Sequence, residues 1–308
     1  MSITVSAPGK LLLLGDHAVV YGYPCLVTAV DKRLYVEAEM IDGDRDDIIT
    51  PQVKESRFVL EAISHFKEKY DITSSVRIKT KGDFSHQVGL GSSSAVTVAT
   101  FQALSLLFDK DLSKKEIFNM SYHVNLIIQG VGSGFDIAAA TFGGTLEYVI
   151  GGKVIEPIHI QTLPLVVGYS GIKADTPFYI RKVAENFRTK QDQMKHLFSS
   201  MQNLVLQAKD SLKNGNMKQV GDCMTACHML LQQLGVSTAK LDSMVQESIK
   251  AGAWGAKLSG AGGGDCMIAL VSDEKKQAVS EAIQKVNGEI IHVGVNTSGV
   301  KIETNENN

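Results

Sequence analysis

Several features that would single out a special class of protein are missing. No apolar run approaches the roughly 20 residues that a bilayer-spanning helix needs, so no membrane segment is expected. The opening "MSITVSAPGK" has no basic stretch followed by an apolar core, which argues against a secretory leader. Neither sign of charge dominates: 31 Lys and Arg stand against 33 Asp and Glu, a net charge of −2, and that balance gives no footprint for nucleic acid or an acidic lipid surface. Cysteine is scarce. Cys25, Cys223, Cys227 and Cys266 form no disulfide framework, which fits a reducing compartment, and the expectation is a cytoplasmic protein. Cys223 and Cys227, followed by His228, lie one helical turn apart in "GDCMTACHMLLQQL", but without a second ligand cluster they read as a buried helix face rather than a metal site. Internal repeats and low-complexity linkers are lacking, as are the phosphate-binding patterns GxxxxGK[ST] and GxGxxG.

What is present is a chain of 308 residues, 44% apolar and 21% charged, long enough for two packed layers or two domains. The first 40 residues read as strands, in "ITVSAPGKLLLLGDHAVV" and "PCLVTAVDKRLYVEAEM", with breaks at Pro8-Gly9 and at Gly22-Tyr23-Pro24. "RFVLEAISHFKEKY" has the spacing of an amphipathic helix and "SSVRIKTKG" alternates like a strand. Two further helices are expected, Ser93 to Phe108 and then "SKKEIFNMSYHVNLIIQG", where Ser113 and Glu116 make a capping box. "GGTLEYVIGGKVIEPI" reads as a hairpin turning at Gly151-Gly152. From about residue 162 a second pattern begins: a buried strand "LPLVVGYS", helices over roughly 176–252, the segment "AKLSGAGGGDCMIALVS", a helix in "DEKKQAVSEAIQKV", and closing strands in "EIIHVGV" and "GVKIE". Two α+β lobes with a cleft between them are the simplest arrangement.

Three stretches carry chemistry. In "GLGSSSA", glycines that let a ligand approach the backbone open directly into a helix, whose unpaired N–H groups and dipole favour an anion. On its own this reads equally well as a Ser cap after a turn. "APGKLLLLGDHAVVYGYP" sets Lys10 beside a Pro-Gly turn and adds the acid–histidine pair Asp16-His17, and "KLSGAGGGDC" places small residues from Gly260 to Gly264 after a strand.

Those three motifs, in this order, resemble the GHMP kinase superfamily, which includes galactokinase and the homoserine, mevalonate and phosphomevalonate kinases. The resemblance covers essentially the whole chain. It implies a ribosomal S5-like N-terminal ATP-binding domain over 1–160 and a ferredoxin-like C-terminal domain over 161–308, with ATP between them. It also implies that Gly89, Leu90, Gly91, Ser92, Ser93, Ser94 and Ala95 hold the ATP phosphates, and that Lys10 and Asp136 are catalytic. Mg²⁺ is expected at Ser93 and at Asn125, and substrate contacts at Gly260, Ala261 and Gly262; Asp16 and His17 read either as substrate contacts too or as a buried pair holding the strand end. Phosphoryl transfer needs such groups, because it consists chiefly of positioning and charge neutralisation. Without the resemblance, Asp136 in "GSGFD" reads as a turn residue.

Within the superfamily, "LLLLGDHAVVYGYP" resembles the GEHAVVYGxPA signature of mevalonate kinases, with Asp16 in place of glutamate. The stretch from "LLQQLGVSTAKL" to "SGAGGG" resembles compact archaeal-type members. The implied reaction is transfer of the ATP γ-phosphoryl group to mevalonate. Departures are Ser85 and Gln87 where proline and glycine are usual, GSGFD where PSGxD is usual, and Asn125 where the family places a Mg²⁺-binding glutamate. "GSGFDIAAATFG", "DTPFYIRKV" and "SGAGGGDC" look like phosphomevalonate kinase, so phosphorylation of 5-phosphomevalonate is the alternative. A non-catalytic small-molecule-binding relative is a second alternative, opposed by the presence of both Lys10 and Asp136. Expected partners are a small-molecule acceptor, neither nucleic acid nor membrane, and a second copy of the chain as the assembly to test.

Overall fold

The run "KLLLL" explains the centre of the molecule. It lies in β1 (Ser2–Leu14), a strand buried on both faces. Leu12 belongs to the N-terminal core, whereas Leu11, Leu13 and Leu14 pack into a core shared with the C-terminal half. A continuous apolar run is what a strand covered on both sides requires. The computed structural model describes residues 2–52, 56–85 and 87–303.

β1 pairs antiparallel with the long β2 (Cys25–Ile41) through Pro8 and Gly9, with a register shift where a break was expected. Proline is tolerated at such a bulge. Gly9 has its own reason: a Cβ there would lie 2.8 Å from the Leu90 carbonyl oxygen. β2 pairs along its far half with β4 (Ser75–Gly82), which carries the short parallel β3 (Asp47–Ile49), and along its near half with β5 (Thr145–Val149), which turns back into β6 (Val154–Pro157). The helices α1 (Arg57–Tyr70), α2 (Ser92–Leu107), α3 (Lys114–Gln129) and α4 (Phe135–Phe142) complete this lobe. α2 is apolar nearly all round and accordingly buried, its core-facing surface built from Ala95, Ala99, Phe101 and Leu104. The Ser113–Glu116 capping box opens α3.

In the second lobe β7 (Leu165–Tyr169) is followed by α5 (Thr176–Asn186), α6 (Gln191–Lys213), α7 (Met217–Gln233) and α8 (Ala239–Lys250). Then come β8 (Gly255–Ser259), β9 (Cys266–Leu270), α9 (Lys276–Lys285) and β10 (Glu289–Ile291). The antiparallel order β10-β7-β9-β8 is the ferredoxin-like arrangement. Cys223, Cys227 and His228 are buried on α7. One expectation fails. The closing strand β11 (Lys301–Glu303), read as part of the second lobe, pairs with β1 at the edge of the first sheet. Arg33 holds it there, its buried guanidinium donating to the carbonyls of Ser6, Ser298 and Gly299.

Candidate active site

β1 delivers Lys10 to the cleft and at the same point grips the glycine loop. The Lys10 backbone N–H donates to Leu90 O at 2.9 Å, and its ammonium donates to Gly89 O at 2.9 Å. The ammonium also lies 5.6 Å from the centre of the Phe135 ring. Burial lowers the Lys10 pKa below its usual value, opposed by the carboxylates of Asp136 and then Asp265.

The loop next to Lys10 turns through left-handed backbone at Gly89 (φ 73°) and Gly91 (φ 81°), and α2 begins directly after it. A side chain on Gly91 would press on the aliphatic stem of Lys10. Gly89, Gly91, Ser92 and Ser93 line the cleft. Leu90, Ser94 and Ala95, expected to hold the phosphates through the loop's backbone amides, have buried side chains. The Ser94 hydroxyl donates to Asp136 Oδ2 at 2.6 Å, so it is a support for the carboxylate.

Asp136 sits in the first turn of a helix, not in the tight turn that its own sequence neighbourhood suggested. Gly134 (φ 89°) begins that helix against the Tyr122 ring and the Tyr148 hydroxyl, where a Cβ would clash. The Tyr148 hydroxyl, whose pKa burial pushes far up, donates to Ser133 O at 2.5 Å and fixes this turn. The other Asp136 oxygen accepts the Ile137 N–H at 3.0 Å.

From the second lobe the glycine turn closes the cleft. His17 Nε2 donates to Ala261 O at 2.8 Å, which leaves Nδ1 as a buried lone pair without a hydrogen-bond partner. Burial lowers the His17 pKa, so the ring is neutral. His17, Gly260 and Ala261 line the cleft. Asp16 does not reach it. Fully buried, it accepts the Gly260 N–H at 2.8 Å and pairs at 2.7 Å with the equally buried Lys257. Gly262 also faces elsewhere, since a Cβ there would lie 2.2 Å from the Val236 carbonyl oxygen. Asn125, 5% exposed, is on the cleft wall.

The cleft has two halves. One, with Lys10, His17, Asn125, Asp136 and Ala261, has a cavity volume of about 140 Å³; the other, with Leu34, Arg57, Phe58, Phe84 and Pro177, has about 500 Å³. The larger half is of the size of a small-molecule site. Ser92, Ser93, Gln129, Lys173 and Thr176 line both, so the halves are continuous. Sequence reading missed Asp265 and Lys257. The residues themselves stood in "KLSGAGGGDC", where a lysine precedes the glycine run and an aspartate directly follows its last glycine.

Residues 57–144 match the family model for the GHMP kinases N terminal domain and residues 208–289 that for the GHMP kinases C terminal. The mevalonate kinase of Thermococcus sibiricus is 35% identical, the match covering 98% of this chain and 99% of that one. The chain belongs to the GHMP kinases. The solved mevalonate kinase of L. major, in complex with R-mevalonate, superposes on this kinase with a TM-score of 0.82 at 27% identity, over 95% of each chain. The phosphomevalonate kinase of Streptococcus pneumoniae shares the fold, with a TM-score of 0.83 at 20% identity over 96% of this kinase and 99% of that one. Among the described residues no helix is long and apolar enough to cross a membrane.

Proposed function

We propose that this kinase transfers the γ-phosphoryl group of ATP to a hydroxyl of mevalonate, giving 5-phosphomevalonate. The observation that carries this reading is the charge of the Lys10 half of the cleft, where Lys10 and Lys173 are the only Lys or Arg side chains among its described lining residues. An acceptor that already bears a dianionic phosphate needs further cations. Arg57 lines the larger half instead, Lys182 donates to Gly235 O at 3.0 Å, and the exposed Arg181 and Lys81 line neither half. The likeness to mevalonate kinases over the full chain supports the same acceptor.

In this reading the phosphates of ATP lie on the backbone N–H groups at the start of α2, with the nucleoside in the larger half. Asp136 accepts the proton of the attacking hydroxyl, held in place by Ser94 and by the Ile137 N–H. Lys10 offsets charge on the transferred group.

Mg²⁺ fits the donors present. Ser93 and Asn125 both line the cleft as neutral oxygen donors, and among the described residues no three His, Cys, Asp or Glu side chains gather as a metal cage. That suits an ion held chiefly by phosphate oxygens and water. When bound, it would neutralise phosphate charge.

The test is kcat/KM for mevalonate, 5-phosphomevalonate, galactose and homoserine at saturating ATP, read as ADP release. Mevalonate is expected to lead. A clear preference for 5-phosphomevalonate would reassign the acceptor, and absence of ADP release with every acceptor would favour a binding protein.

A further inference from the structure

The mechanism just given leaves two charged groups of the cleft without a task. Asp265 is 8% exposed, and it is a non-glycine residue in left-handed backbone (φ 55°) at the end of a run of glycines. Glycine takes up that backbone without cost, so an aspartate there points to a role for its side chain. The carboxylate packs directly on Gly89, whose missing Cβ would lie 2.5 Å from Asp265 Cγ. Its Oδ1 accepts the Ala174 N–H at 3.0 Å and lies 3.8 Å from the Lys173 ammonium. Asp265 therefore ties the loop before α5 to the phosphate loop of the other lobe, and Cys266 adds a second tie, its thiol donating to Val88 O at 3.0 Å.

A bare carboxylate against a phosphate loop is a liability, since it repels the nucleotide. Lys173 resolves this. Its side chain is half exposed and is the one Lys or Arg side chain that lines both halves of the cleft, among the described residues. The place where the halves meet is where the γ-phosphoryl group must cross from nucleotide to acceptor. Lys173 and Asp265 both bear on the charge of Lys10, which puts the three groups in one electrostatic field.

Building on the proposed phosphoryl transfer, we infer that Lys173 is a second catalytic cation, contacting the γ-phosphoryl group in flight, and that Asp265 is the positioning residue that aims it. The bond from γ-phosphorus to the bridging oxygen breaks, with ADP leaving, as the bond to the acceptor oxygen forms. The acceptor proton passes to Asp136, and Lys173 keeps its own protons. Lys10 approaches the transferred group from the first lobe and Lys173 from the second.

The test is the single-turnover rate of phosphoryl transfer in the full-length enzyme, using the acceptor on which the wild type is most active. Lys173→Met should slow transfer by about 100-fold, the loss typical of one preorganised transition-state donor, with KM for the acceptor little changed. Lys173→Arg should recover part of the rate. Asp265→Asn keeps an acceptor for the Ala174 N–H and tolerates the left-handed backbone, yet removes the charge. It should slow transfer less than Lys173→Met does, and it should add nothing in the Lys173→Met background, because groups acting as a unit are non-additive. An unchanged rate in Lys173→Met would overturn the catalytic role. Multiplying losses in the double variant would overturn the link from Asp265 to Lys173. If the best acceptor is not mevalonate, the functional proposal fails while the same comparison still decides the role of Lys173.

Discussion

Along the loop Gly89–Ala95 neighbouring residues do different jobs, and the motif alone did not divide them. Ser93 faces the cleft, whereas the next residue, Ser94, is fully buried with its hydroxyl on Asp136. Removing that hydroxyl should therefore act on the chemical step. Ser94→Ala is expected to lower kcat by about tenfold, the value of one hydrogen bond to a charged group, with the KM for ATP nearly unchanged in steady-state kinetics. Asp136→Asn should cost about 10² to 10⁴ in kcat if it removes the general base, and thermal melting should show the fold intact. Lys10 gives a pH signature. Its ammonium is the active form, and burial has lowered its pKa from 10.5. The alkaline limb of the kcat/KM profile, which reports the free enzyme, should consequently fall below pH 10.5, and an enzyme still fully active there would separate Lys10 from the reaction.

At the scale of elements, legibility followed how local the determining forces are. The α1 pattern gave both ends of the helix, Arg57 and Tyr70, and the Ser113–Glu116 box marked the start of α3, because caps and apolar stripes lie within one segment. The glycine hairpin between β5 and β6 was equally readable. α4 was not, since "GSGFD" carries no side-chain cap. Gly134 starts that helix only because Tyr122 and Tyr148 pack over it. Pro8-Gly9 was misread as a break for the same reason: its bulge is set by the approach of Leu90, far along the chain. The partners of Asp265 also needed the structure, because Gly89 and the Lys173-Ala174 pair come from two segments far from it in the chain. Within α7, His228 is buried between lobe elements: Nδ1 accepts the Leu258 N–H at 3.4 Å, and Nε2 donates to Asp242 at 3.0 Å. Burial, opposed by Asp242, holds its pKa below 6.5, and nearby Lys257 lowers it further. His17 is lowered too. The unfolded chain thus binds protons near pH 6.5 that the native state refuses, so stability is full above that pH and declines as pH falls below it. Urea midpoints should be lower at pH 5.5 than at pH 7.5, and His228→Gln should flatten that slope. An equal slope in the variant would place the proton uptake at other groups.

At the scale of the whole molecule, the lobes are joined by charge as well as by apolar packing. Asp16 follows β1, the central strand of the first lobe, and Lys257 lies in β8 of the second; both are 0% exposed and 2.7 Å apart. The Lys257 ammonium also donates to the carbonyls of Leu12 and Leu258, so it is bonded to both lobes at once. Asp16 in turn holds the Gly260 N–H, and with it the turn whose Ala261 carbonyl receives His17. Of the two readings the sequence offered for Asp16, buried support or substrate contact, its burial and its pairing with Lys257 match the first. Removing one partner strands the other charge without water. Asp16→Ala should destabilise the enzyme by about 3–5 kcal/mol, the usual cost of breaking a buried ion pair, measured by urea unfolding at pH 7.5. Replacing both, as Asp16→Leu with Lys257→Met, removes the stranded charge and should restore much of that stability. The double variant should nevertheless remain slow, because the Gly260 N–H has lost its acceptor and the second glycine turn its anchor. Wild-type turnover in the restored double variant would mean that the pair serves folding alone.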